Sequence, residues 1–201
     1  MNSFAKIEEA FDLNYSDDID EIKSIFNQYI EIFSHLHTQP DLLIDNDFRI
    51  INEFLNKIPS NIIKDFFSYE IVDNDTILHI FYDYPLFIDA ISPFSKYIDF
   101  TITGKKGLTV LELAATTVPS FSFEIWLDIG APHSSLRDHS LLLDIGFDGR
   151  EMSDLASNSG VSIDTAVKMD IRQNIACLEE HGAKVSNSIK EEVNSLSFNI
   201  F

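Results

Sequence analysis

One stretch constrains this chain more than any other: residues 107–131, GLTVLELAATTVPSFSFEIWLDIGA. It reads as a glycine turn, then a short helix opened by Thr109-Val110-Leu111, then a break at Pro119-Ser120. A second helix carrying Phe123, Trp126 and Leu127 follows, and it stops at Gly130-Ala131. Glycine just past the last apolar position is a helix C-terminal signal, because it takes positive φ without a Cβ clash. The same grammar stands earlier in the chain. Asp75-Thr76-Ile77-Leu78-His79-Ile80 opens one helix, and Pro85 suits the first turn of the next, over residues 86–91. Thr109 lies 33 residues after Thr76, and Gly130 lies 21 after Thr109. A helical pair recurring at that step buries its apolar face against its neighbours, so the units are expected to stack.

These residues resemble the ankyrin repeat, which opens with a Thr-Pro-Leu-His tetrad and closes on Gly-Ala. Thr76, Leu78 and His79 match, with Ile77 in the proline place and Asn74 where glycine is usual. Thr109 and Leu111 match again, while Val110 replaces the proline and Glu112 the histidine. The resemblance implies an all-α ankyrin-repeat solenoid of about three to four irregular helix-turn-helix repeats. It also implies that Thr76 and His79 tie a helix start to the adjoining turn, and that residues 98–107, with Lys105-Lys106-Gly107, form a β-turn finger. After Ala131 the period slips. Glu151 stands at the next Thr place, 42 residues beyond Thr109, so about nine residues are inserted near 133–143. Gly182-Ala183 closes the last unit 31 residues after Glu151, which predicts longer helices or an extra loop near 157–162. The expected organisation is an N-terminal helical extension or cap over 1–46 and repeats over 47–186. These divide into a degenerate unit at 47–72, then 73–106, 107–147 with the insertion, and 148–186. A capping segment follows over 187–201, with Ile189, Val193, Leu196 and Phe198 on one face.

Outside the repeats, residues 16–37 predict a long amphipathic helix. Ser16 is a natural N-cap, Asp17, Asp18 and Asp20 suit the positive end of the dipole, and Ile19, Ile22, Ile25, Phe26, Tyr29, Ile30, Phe33 and Leu36 form one stripe. Residues 47–57 and 61–69 predict a helical hairpin broken at Pro59-Ser60.

The charge narrows the function. Against 14 Lys and Arg stand 33 Asp and Glu, a net charge of −19. Residues 1–100 hold 19 acidic and 6 basic side chains, so 13 of the 19 excess charges lie in the first half. A surface of this sign repels nucleic acid and anionic membrane and attracts a basic protein. Simple solubility is the alternative that charge alone leaves open. The opening residues, MNSFAKIEEAFDLNYSDDIDE, are acidic and lack the apolar core of a signal peptide, and no apolar run reaches a bilayer's span. A cytoplasmic location is expected.

Catalytic patterns are sparse. Cys177 stands alone in an apolar helical context and reads as a small buried hydrophobe. His35 and His37 project in different directions, and His133 and His139 around Asp138 lack a helical Glu-x-x-His partner. Seven glycines form no phosphate-cradling loop, and Ser134, Ser135 and Ser140 sit in no nucleophile turn. No cofactor and no metal are expected, and no enzymatic activity.

A protein binder is therefore the leading expectation. It is an inhibitor or immunity protein covering the active site or substrate cleft of a basic, nuclease-type bacterial toxin, and it is monomeric when free. An Ile-, Phe-, Asn- and Asp-rich composition is compatible with an AT-rich bacterial gene. The alternative is an ankyrin-repeat effector or adaptor recruiting a host or regulatory protein. Candidate partner-binding residues are Asp73, Asp75, Tyr82, Asp83, Tyr84, Asp99, Glu112 and Asp148. For Phe81-Tyr82-Asp83-Tyr84 two readings stand, a binding surface with rigid aromatic area beside a carboxylate, or an ordinary turn between helices.

Overall fold

A computed structural model describes residues 60–118, 122–144, 146–147 and 160–196, together with 52, 55, 56 and 156. The helix expected over 16–37, most of that over 47–57, the opening at Glu151 and the residue Asp148 lie outside the described residues. Within them the protein is mostly helical, with seven α-helices and two small two-stranded sheets.

The first helix, α1, spans Ser60–Ser68 and packs on the 3-10 turns of Ser92–Tyr97. A hairpin follows, with β1 (Glu70–Val72) antiparallel to β2 (Asp75–Thr76). Its two turn residues, Asp73 and Asn74, both take positive φ, 50° and 71°. Asx side chains tolerate that region best after glycine, and two consecutive positive-φ residues match the right-handed twist of a tight hairpin. Asn74 thus serves where the repeat pattern expects glycine.

Helix α2 (Ile77–Ile80) is one turn long with all four residues buried, and α3 (Pro85–Ile91) begins with proline in its first turn. In the next unit α4 (Val110–Ala115) is buried throughout, and α5 (Phe123–Asp128) turns Phe123, Trp126 and Leu127 inward. Helix α2 packs against α4 and α3 against α5. Helices this short have no stability of their own and depend on that packing.

Past α5 the insertion forms two 3-10 segments, His133–Ser135 and His139–Leu143. Strand β3 (Thr117–Val118) pairs parallel with β4 (Gly146–Phe147), a ladder the repeat pattern does not contain. Two further helices follow, α6 (Ile163–Glu180), capped by Ser162, and α7 (Asn187–Ser195), capped by Ser186. Helix α6 packs on α5 and α7. Val193 lies in the core with Ile189 and Leu196 packed against it, and Phe198 lies outside the described residues.

Gly130 and Gly182 end their helices in the same way. Each takes positive φ, 108° and 91°. The glycine N–H donates to Leu127 O or Glu179 O, and the following alanine N–H to Trp126 O or Leu178 O, at 2.9–3.0 Å. This double bond set satisfies the orphan carbonyls of the last turn. One continuous core runs from Leu55 to Val193, with Trp126, Phe66, Phe67, Phe81, Phe87 and Phe123 its largest fully buried members.

Candidate functional site

Both Thr-headed helices begin with a reciprocal cap. In the first, Leu78 N–H donates to Thr76 Oγ1 (3.2 Å) and Thr76 N–H donates back to His79 Nδ1 (3.2 Å). A nitrogen that accepts carries no hydrogen, so the His79 proton sits on Nε2, which donates to Ile102 O at 3.3 Å. The ring is buried and neutral. Burial pushes its pKa below the ordinary histidine value, and Asp75 and nearby carbonyls oppose that only in part.

In the second cap Glu112 N–H donates to Thr109 Oγ1 (3.2 Å), and Thr109 N–H returns to Glu112 Oε2 (2.9 Å). The Thr109 hydroxyl donates onward to Ser135 O (2.8 Å). Glu112 is 1 % exposed. Its Oε1 accepts from Arg137 N (3.0 Å) and Nε (2.9 Å), and its Oε2 from Arg137 Nη2 (2.5 Å). Arg137 Nη2 also donates to Gly107 O (2.6 Å). Burial alone would raise the Glu112 carboxyl, but the hydrogen bonds from Arg137 and Thr109 outweigh it and hold the pKa below the usual carboxylate value. Glu112 is therefore not a partner contact. It is an internal anchor for the insertion, and Arg137 is the exposed end of the pair.

The two fingers touch. Gly104 N–H donates to Leu108 O (2.9 Å) and Gly107 N–H to Gly104 O (2.8 Å), closing the turn that presents Lys105 and Lys106. Lys105 N–H donates to Asp75 Oδ1 (2.8 Å), and its ammonium pairs with Asp73. Gly104 permits this approach, because a Cβ there would lie 2.1 Å from Asp75 Oδ1 and 2.8 Å from His79 Cδ2. Asp73 and Asp75, expected to face a partner, are first of all ligands of the neighbouring finger. Asp99 is exposed and accepts from both Thr101 N–H and the Thr101 hydroxyl, which lowers its pKa.

Residues 81–84 form the turn between α2 and α3, and the contacts of Tyr82, Asp83 and Tyr84 are largely internal. Tyr82 Oη lies 3.0 Å from Thr117 Oγ1, and Tyr82 O accepts from Trp126 Nε1 (2.7 Å). Asp83 accepts from the Ser122 hydroxyl (2.8 Å), and Tyr84 packs edge-on to Phe81. Of the eight candidates, Asp75 and Tyr82 line one pocket with Lys105, Asp73 pairs with that lysine, and Asp83 and Tyr84 lie in the same turn as Tyr82. Asp148 lies outside the described residues.

A concave pocket of about 170 Å³ opens between the fingers and the first helices, lined by Asp75, His79, Tyr82, Gly104, Lys105, Lys106, Leu108 and Leu113. Apart from Glu112, every Asp and Glu among the described residues is at least partly exposed.

One cluster has no signature in the sequence. His181 caps α6 with Nε2 3.4 Å from Asp128 Oδ1, and its Nδ1 lies 3.8 Å from Cys177 Sγ. The order Cys-His-Asp is that of a nucleophile and its base, yet the details oppose that chemistry. His181 Nδ1 lies 2.9 Å from Cys177 O, an atom that only accepts, so this nitrogen carries the hydrogen. Burial and the carboxylates of Glu124, Asp128 and Glu180 push the thiol up to about 11. The residue stays a thiol at neutral pH.

Among the described residues no His, Cys, Asp and Glu are grouped to hold a metal ion, and no helix is long and apolar enough to cross a membrane. Comparison with protein-family models, with curated proteins and with solved structures found no match.

Proposed function

We propose that the protein is an acidic protein-binding module on an ankyrin-like frame, and that it inhibits a basic protein by covering its active site or substrate cleft. Immunity proteins act this way on bacterial toxins. The observation that carries the reading is the net charge of −19 together with the exposure of the described carboxylates. Such a field speeds encounter with a basic cleft and rejects partners of the same sign. Two features support the frame. The reciprocal Thr caps recur at a 33-residue step, and the short helices stack like on like.

The test is capture from an extract of the source cell on immobilised protein, followed by binding kinetics of the captured protein at rising salt. The reading expects a basic partner whose association slows steeply between low and physiological ionic strength. Charge reversal at exposed Asp99 and Glu124 is expected to slow it further. An association rate indifferent to salt and to both reversals would overturn it. Capture of an acidic regulatory protein would favour the adaptor alternative.

A further inference from the structure

We infer that the pocket between the fingers is a specificity subsite, taking a phenylalanine- or leucine-sized side chain of the bound protein with a carboxylate on the adjoining residue. This rests on the protein-binding reading above and adds what that reading lacks, a feature that selects one partner and one orientation.

The size comes from the cavity. Its volume of about 170 Å³ slightly exceeds that of an apolar protein cavity of about 150 Å³ that accepts benzene. Leu108, Leu113 and Tyr82 supply apolar walls, and Gly104 lets Asp75 and His79 pack closely against the finger that carries Lys105 and Lys106. The polar groups of the wall are already engaged. His79 uses both ring nitrogens on Thr76 and Ile102, and Asp75 Oδ1 holds Lys105 N–H. What enters deeply must therefore be apolar.

The charge comes from the rim. Lys105-Lys106 is the one place in the sequence where two basic residues adjoin. Lys105 is held by Asp73 and Asp75, whereas Lys106 is exposed and has no ion pair among the described residues. Asp73, Asp75, Lys105 and Lys106 balance to zero, in a chain of −19. A carboxylate on the partner is repelled by the acidic surface at large but is accepted beside Lys106. Like-charge rejection elsewhere and acceptance here fix the register of an otherwise basic partner.

The probe is a set of capped tetrapeptides, acetyl-Gly-Phe-Asp-Gly-amide and its Phe-Asn and Ala-Asp counterparts, titrated into the full chain and followed by amide NMR shifts. The Phe-Asp peptide is expected to saturate with a dissociation constant on the order of 1 mM, shifting Gly104, Lys106, Leu108 and Leu113. Replacing Asp by Asn in the peptide, or Lys106→Gln in the protein, is expected to weaken it about threefold, and the Ala-Asp peptide to lose localised binding. Lys106 is exposed, so the variant keeps its fold, which the unshifted amide spectrum checks. Absence of localised shifts at about 10 mM peptide, or equal binding of the Asp and Asn peptides, overturns the subsite. Either result removes the subsite even if the whole protein still captures a basic partner, and loss of salt-dependent capture would sink the underlying reading by itself.

Discussion

The caps at Thr76 and Thr109 look alike in the chain and work with opposite polarity. Each residue three places on closes the cap with one edge and reaches the following segment with the other. His79 closes with an accepting nitrogen and donates ahead to Ile102 O. Glu112 closes with one oxygen and accepts ahead from Arg137. The cap fixes the helix start, while the second edge fixes what must follow. A neutral donor needs only a backbone carbonyl, which any finger turn offers. A buried carboxylate needs a cation, and the insertion over 133–143 supplies it from Arg137.

The largest effect should come from forcing the second scheme into the first site. His79→Glu can still accept from Thr76 N–H, but its other oxygen meets the Ile102 carbonyl, close to the Asp75 carboxylate and with no hydrogen bond from a cation such as Arg137 gives Glu112. We expect a loss of about 4 kcal/mol in denaturant unfolding, the cost of an uncompensated buried charge. A loss below about 1 kcal/mol would mean that the two caps are interchangeable.

Next comes Arg137→Met, which strands Glu112 and should cost about 3 kcal/mol. Adding Glu112→Gln should restore part of it, because the buried charge goes with its partner. A double-mutant cycle measures the coupling, and simple additivity would show that the pair is not the anchor described. Gly104→Ala tests the contact between fingers. The new methyl would collide with Asp75 and the His79 ring, and about 2 kcal/mol is expected from the enforced shift. Lys105→Gln should be the mildest. Its pair with Asp73 joins two exposed side chains screened by solvent, so the unfolding midpoint should hardly move.

What the chain revealed in advance was local. Pro85 in a first turn and Gly130 and Gly182 as helix ends follow from neighbouring residues and backbone geometry, and the tie from Thr76 and His79 to the adjoining turn follows from the repeat resemblance. What it hid was long-range. Glu112 read as a surface contact because a charged residue in a degenerate motif position looks like a departure on the outside. Its partner lies 25 residues on, inside a stretch that breaks the period, so no spacing rule joins them. The signal was there in weak form, since Arg137 is the one arginine or lysine between Gly107 and Asp148. Asp73 and Asp75 were likewise assigned outward, because sequence gives no hint that Gly104 lets Lys105 approach them. Cys177 and His181 lie one helical turn apart, but Asp128 stands far earlier in the chain, and only the packing of α6 on α5 brings it to them.

His79 works as a neutral cap and Glu112 as a charged one, and the pH dependence of unfolding separates the two. His79 has its pKa lowered in the fold from 6.5, so its contribution is complete above that value and lost as pH falls through it. Glu112 is lowered from 4.5, so its contribution persists to more acid pH and disappears only below that value. Unfolding free energies of the wild type, His79→Gln and Glu112→Gln, measured from about pH 8 to pH 3, separate the two steps. The wild type should lose stability relative to His79→Gln as pH falls below the ordinary histidine value, and relative to Glu112→Gln only at lower pH. A wild type that parallels His79→Gln through the first window, or gains stability there on acidification, would contradict the account.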